Sequence, residues 1–197
     1  RILTASIYGV DIDSQAVEVT KLSLLLKLLE GETGQLSLGF ERVLPDLGNN
    51  IRCGNSLIGW DYFKGQMFPD DEEIQRVNPF DWQRAFPHVF AAGGFDAVIG
   101  NPPYALIDPK ISTDYINSHY PNHASQVDMY LLFLERYETM LADDGLLGVI
   151  VSNTWLQSVT FQKIRRYLTN NYVWKKILHL PDKVFKAVID THVLIFQ

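Results

Sequence analysis

The sequence predicts an α/β fold in which a mostly parallel sheet is covered by helices on both faces, and three observations carry that reading. Apolar runs of strand length alternate with segments whose apolar residues recur at helical spacing. Several of the short runs, such as "LLGVIV" and "VLIF", are continuously apolar, as strands buried on both faces must be. Glycine, asparagine, aspartate and proline punctuate the changes of period.

In chain order, "SIYGVDID" reads as a short strand ending in the acids Asp11 and Asp13, with Ser14 as N-cap of the next helix. There Val17, Leu24, Leu25 and Leu28 mark an inward stripe, Glu18 and Lys21 point outward, and Gly31 and Gly34 end the helix. "IRCGNSLIGW" is a second short strand that exits at Gly54 and Asn55. Residues 60–94 interleave aromatics from Trp60 to Phe90 with Pro69, Pro79 and Pro87, the pattern of an insertion of short helices with its own small core. The strand "FDAVIG" follows, then Asn101-Pro102-Pro103-Tyr104 and an irregular loop to about Ala124.

Ser125 and Asp128 form an S-x-x-D capping pattern ahead of Val127, Tyr130, Leu131, Leu134, Tyr137 and Leu141, which keep a three-four rhythm. "DDGLLGVIVSN" is a turn and a buried strand, residues 159–169 a helix, and "YVWKKILHL" and "DTHVLIFQ" two further strands. No internal repeat or low-complexity segment interrupts this order.

Composition bounds the function. The chain has 197 residues, 47% of them hydrophobic and 20% charged, enough to bury a real core as one domain. No apolar run reaches the roughly 18 residues of a membrane span, so a soluble protein with no membrane partner is expected. Cys53 is the single cysteine, which rules out an intrachain disulfide, and no His/Cys cluster has zinc-like spacing. The expectation is a reducing, cytoplasmic setting and no metal; His179 and His192 are read as structural. The chain opens "RILTASIYG", with neither Met nor a signal pattern, so it is expected to be a piece of a longer protein. The net charge of −6 speaks against a bulk nucleic-acid binder. Locally, however, residues 163–186 set seven lysines and arginines against the single acid Asp182. That tract suits phosphate, or equally a solvated helix face.

Two strand ends carry candidate chemistry. Ligands of open α/β sheets bind outside the carboxyl ends of strands, where an acid such as Asp11 can accept hydrogen bonds from both hydroxyls of a ribose; turn and capping chemistry explains Asp11 as well. Asn55 can face an adenine edge, or simply form a turn. The 101–104 segment offers more. An amino group conjugated to a heteroaromatic ring is a poor nucleophile because its lone pair is delocalised. Two acceptors taking hydrogen bonds from both of its N–H groups favour a pyramidal nitrogen and free that pair. The side-chain oxygen of Asn101 and the carbonyl of Pro102 are two such acceptors. Pro103 biases Pro102 away from helical backbone, and neither proline offers a competing N–H. Tyr104 adds a face on which a base can stack, worth roughly 1–3 kcal/mol in general.

"FDAVIGNPPY" resembles the catalytic motif of S-adenosylmethionine-dependent amino methyltransferases, and its surroundings resemble the gamma-class adenine-N6 DNA methyltransferases of restriction-modification systems. "IYGVDIDSQAVEVTKLSLLL" is similar to their second motif and "IRCGNSLIG" to the third, which implies cofactor contacts at Asp11 and Ile12 and at Asn55 and Ser56. "DMYLLFLERYETMLADDGLLGVIVSNTWL" resembles the helix and strand after the catalytic loop, and "VFKAVIDTHVLIFQ" a late motif whose aromatic, here Phe185, packs beside a flipped base. The resemblance spans the chain except 60–94 and 105–124, and the order, cofactor motifs before the catalytic one, marks the gamma arrangement.

It implies a Rossmann-like S-adenosylmethionine-dependent methyltransferase fold that here lacks the first strand and its glycine-rich loop. That strand is expected between "IYGVDID" and "FDAVIG", so residues 1–197 read as a partial catalytic domain without its target-recognition domain. The implied function is methyl transfer to the N6 amino group of a flipped adenine in DNA. Asn101, Pro102 and Tyr104 would be catalytic, Pro103 and Phe185 would contact the substrate, and a fused or separate endonuclease and specificity domain would be partners. Competing expectations are a protein-glutamine or RNA amino methyltransferase and a non-catalytic DNA-binding module.

Overall fold

A computed structural model describes residues 2–30, 45–123, 128–180 and 190–197, which divide into two compact units, Arg1–Ala85 and Phe86–Gln197. The first unit contains α1 (Ile2–Ser6), β1 (Gly9–Asp11), α2 (Ser14–Glu30), β2 (Ile51–Cys53), a 3-10 turn at Trp60–Phe63, α3 (Asp71–Val77) and α4 (Trp82–Ala85). β1 and β2 pair in parallel, with Asp11 opposite Cys53 at their carboxyl ends. Val17, Leu47 and Ile51 form the core beneath them, with Leu3, Leu24 and Leu25 packed alongside. The buried Asn50 fastens α1 to this sheet, its side-chain amide donating to Thr4 O at 3.0 Å and Ile7 O at 2.9 Å.

Two expectations change at α2. The cap is Asp13 rather than Ser14: its carbonyl accepts from Val17 N at 3.0 Å, and its carboxylate from Gln15 N at 2.8 Å, so Ser14 already lies in the first turn. Leu28, read as inward, is 40% exposed. The geometric reason is length, because a 17-residue helix runs about 25 Å while a three-residue strand covers only about 10 Å. The far end of α2 therefore overruns β2.

The second unit contains α5 (Pro87–Ala91), β3 (Phe95–Gly100), α6 (Thr113–His119), α7 (Met129–Glu138), β4 (Leu141–Ser152), α8 (Thr154–Gln157), a 3-10 turn at Val159–Phe161, α9 (Gln162–Asn171), β5 (Trp174–Leu180) and β6 (Thr191–Phe196). Its sheet has the order β3-β4-β6-β5. β3 and β4 are parallel across a helical crossover, whereas β6 runs antiparallel to both neighbours, so a mixed edge completes the α/β sheet. Leu147, Val149 and Val151 alternate on the buried face of β4, and Leu131, Leu134, Ile164, Leu168, Leu194 and Phe196 of this unit are fully buried too.

Leu141 opens β4 instead of closing the preceding helix. α7 stops at Glu138, the Met140 carbonyl accepts from Phe95 N at 2.8 Å, and Asp144 (φ 62°) bends the strand where its register with β3 shifts. Asp128 is the N-cap of α7 without a side-chain cap bond, and Ser125 lies outside the described residues. The short helices within residues 60–94 fall on both sides of the boundary between units. Among the described residues no helix is long and apolar enough to cross a membrane.

Candidate functional site

β3 delivers the Asn-Pro-Pro-Tyr segment to its own carboxyl end, where Gly100 pairs with Val149 of β4. Gly100 is required there: a Cβ at this position would run into the ring of Tyr137, which is buried on α7. Beyond it Asn101 is exposed, and among the described residues its side chain makes no hydrogen bond, so its oxygen is uncommitted. Pro102 is buried, Pro103 exposed and Tyr104 half-buried. The Tyr104 ring meets Tyr130 of α7 edge-on, centroids 6.1 Å apart at 89°. Burial raises the Tyr104 phenol above its ordinary pKa, and its hydroxyl has no partner among the described residues.

The loop after Tyr104 is tied to α7 at both ends. Leu106 bridges Asp128, and Met129 N donates to Ala105 O at 2.9 Å, which closes the neck. Farther along, buried Glu135 accepts from Asn122 N at 3.1 Å and from Asn122 Nδ2 at 2.8 Å. Burial raises the Glu135 carboxyl, and these two bonds oppose the rise. The sequence reading took this stretch as irregular; α6 lies within it, capped by Ser112, whose hydroxyl accepts from Tyr115 N at 3.3 Å.

In the first unit Asp11 and Ile12 are both exposed at the end of β1. Asp13 N donates to one carboxylate oxygen of Asp11 at 2.8 Å, which fixes that side chain and leaves the other oxygen toward solvent. Asn55 is more committed than the sequence suggests. Its oxygen accepts from Leu57 N at 3.0 Å and its amide donates to Val77 O at 3.2 Å, holding the turn after β2 against the end of α3. The adjoining Gly54 has no room for a side chain, because Phe80 lies where a Cβ would stand. Ser56 is half-buried, and its carbonyl accepts from Trp82 Nε1 at 3.3 Å. A cavity of about 880 Å³ in this unit is lined by residues that include Glu18, Lys21, Arg52, Cys53, Trp60 and Arg84, and by none of these four.

Phe185 lies outside the described residues, as does the stretch 181–189 around it. Within the basic tract Arg165 is taken up structurally, its guanidinium donating to Trp155 O at 2.7 Å and Ser158 O at 2.6 Å, while Lys175 and Lys176 are exposed on β5. His192 is buried and packs edge-on against Trp155, 6.2 Å between centroids; the exposed His179 faces it across the strand pair. Sequence reasoning missed a chain of hydroxyls beneath Tyr104. Tyr130 counted only as one apolar position of a helix, although Ser152 at the close of an apolar strand and Thr154 just beyond it were a visible signal.

Comparison with known proteins identifies the family. The sequence profile of the Eco57I restriction-modification methylase family matches residues 5–185. The chain is 36% identical over 193 residues to the type II restriction enzyme and methyltransferase RM.Eco57I of Escherichia coli, covering 94% of this chain and 18% of that protein. It is 25% identical over 165 residues to the adenine-specific methyltransferase PglX of Streptomyces coelicolor, covering 77% of this chain and 14% of the relative. Among solved structures, the type I restriction-modification methyltransferase subunit of Streptococcus thermophilus shares the fold, with a TM-score of 0.59, 16% identity, 98% of this chain and 34% of that one covered. The chain thus spans less than a fifth of the length of either of these two relatives. With its motifs at the strand ends and its matched span nearly complete, the chain belongs to the Eco57I restriction-modification methylase family.

Proposed function

We propose that this chain holds the base-binding part, and some of the cofactor-binding part, of an enzyme that methylates the N6 amino group of a flipped adenine in DNA within a restriction-modification system. The observation that carries the proposal is the uncommitted, exposed Asn101, set at a strand end by Gly100 and followed by two prolines and an anchored tyrosine. The two N–H groups of the adenine amine donate to Asn101 Oδ1 and to the Pro102 carbonyl, which localises the nitrogen lone pair. The base stacks on Tyr104, and that contact offsets part of the stacking lost on leaving the duplex. The amine nitrogen would gain the methyl group as the donor's methyl carbon–sulfur bond breaks with its electron pair left on sulfur, and one N–H proton would pass to water.

S-adenosylmethionine, when bound, supplies an activated methyl group. The residues of the first unit fit it: Asp11 has an oxygen free for ribose hydroxyls, and exposed Ile12 offers an apolar surface for a purine. Asn55 retains one amide hydrogen for the adenine, while Ser56 stands beside it in the same turn. The relative RM.Eco57I is named as both restriction enzyme and methyltransferase, which supports a fused endonuclease as partner. PglX, named as adenine-specific, supports the choice of base.

The test is product identity. The intact protein is incubated with labelled S-adenosylmethionine and duplex DNA, and the DNA is digested to nucleosides. Label is expected in N6-methyladenine. Label on protein glutamine or on RNA, or no uptake of the cofactor at all, contradicts the reading.

A further inference from the structure

Among the described residues nothing bonds to the hydroxyl of Tyr104, so that end of the ring does not set its orientation. What meets the ring is Tyr130, edge-on at 6.1 Å. Tyr130 is 2% exposed and held from two sides. Phe161 packs edge-on against it at 6.5 Å. Its hydroxyl shares a hydrogen bond with Thr154 Oγ1 at 3.1 Å, and Thr154 Oγ1 shares one with Ser152 Oγ at 3.0 Å. Thr154 N also donates to Ser152 Oγ at 3.4 Å. Ser152 is buried at the end of β4 and paired with Thr191 on β6, so the three hydroxyls run from the sheet to the ring.

We infer that Tyr130, fixed by Thr154 and Ser152, is the positioning residue that holds the Tyr104 ring in place to stack on the substrate base. Burial, the largest cause, pushes the Tyr130 phenol up to about 12, so the hydroxyl chain stays neutral at working pH and does not change with it. The inference rests on the proposed function, since it presumes a base on Tyr104.

The experiment uses the intact protein with Tyr130→Phe and Thr154→Val, each of which breaks the chain while keeping the packed volume. Both are made alone and on a Tyr104→Ala background. Once the methylated adenine is mapped, 2-aminopurine replaces it and its fluorescence in the complex reports stacking. Each variant alone is expected to lower the single-turnover methylation rate about two- to tenfold, the equivalent of one net hydrogen bond. It should also raise the 2-aminopurine signal, with the KM for S-adenosylmethionine unchanged. On the Tyr104→Ala background neither substitution should lower the rate further. Unchanged fluorescence, or a rate loss that persists without Tyr104, overturns the positioning role and leaves the proposed function standing. Absence of adenine methylation by the unsubstituted protein overturns both.

Discussion

Two residues decide whether the strand end can act as an amine-binding site. Asn101 is exposed and makes no internal hydrogen bond among the described residues, so replacing it should leave the fold intact. Asn101→Ala removes one of two acceptors and should lower the methylation rate on the order of 100-fold, checked by single-turnover kinetics. Gly100 is different in kind. Gly100→Ala forces a methyl group against the Tyr137 ring and should cost about 1–3 kcal/mol of stability in a denaturant titration. Its activity loss should exceed what unfolding alone explains, since the displaced backbone carries Asn101. Asn101 and Tyr104 were legible as candidates in the sequence because each offers its group by residue type, and Pro102 because a following proline restricts the backbone that presents its carbonyl. Tyr137 and Tyr130 were not, because an aromatic on a helix face reads the same whether it fills a core or orients a neighbour.

At the scale of elements, the loop after the site and the β5–β6 pair each depend on one buried titratable group. Glu135→Ala would strand the Asn122 N–H and amide and should cost about 1–3 kcal/mol. Hydrogen exchange should then speed up in the span from Ala105 to His123 before it does so in α7 itself. His192 sits among Trp155, His179 and Asp190, and burial lowers its pKa, with His179 adding to the effect and Asp190 opposing it. A depressed folded pKa means that the unfolded chain takes up the proton first. Stability should therefore be full above the ordinary histidine value of about 6.5 and fall as the pH drops below it. Urea midpoints measured from about pH 8 to about pH 5 should show that fall, and His192→Phe should flatten it. The strands and α7 followed from apolar period alone. The Asp13 cap and the break at Leu141 did not, because adjacent residues compete for one cap and an apolar residue at a boundary fits either neighbour.

For the whole molecule, family membership and fold are established, and each compact unit contributes residues of a different kind. The first carries Asp11, Ile12, Asn55 and Ser56 at the ends of a parallel strand pair, and the second carries the 101–104 segment. Short-range chemistry sets the turn at Asp11, whereas Asn55 is held both by its own turn and by Val77, and the glycine before Asn101 is packed against the distant Tyr137. The account predicts that they serve one reaction. If so, their substitutions separate: Asp11→Ala should weaken S-adenosylmethionine binding measured by calorimetry, and Asn101→Ala should not. The most direct measurement is therefore transfer of labelled methyl groups to duplex DNA by the intact protein and by Asn101→Ala, with cofactor affinity measured for both. The account predicts N6-methyladenine from the first, a loss on the order of 100-fold in the second, and equal affinities. Undiminished methylation by Asn101→Ala would contradict it.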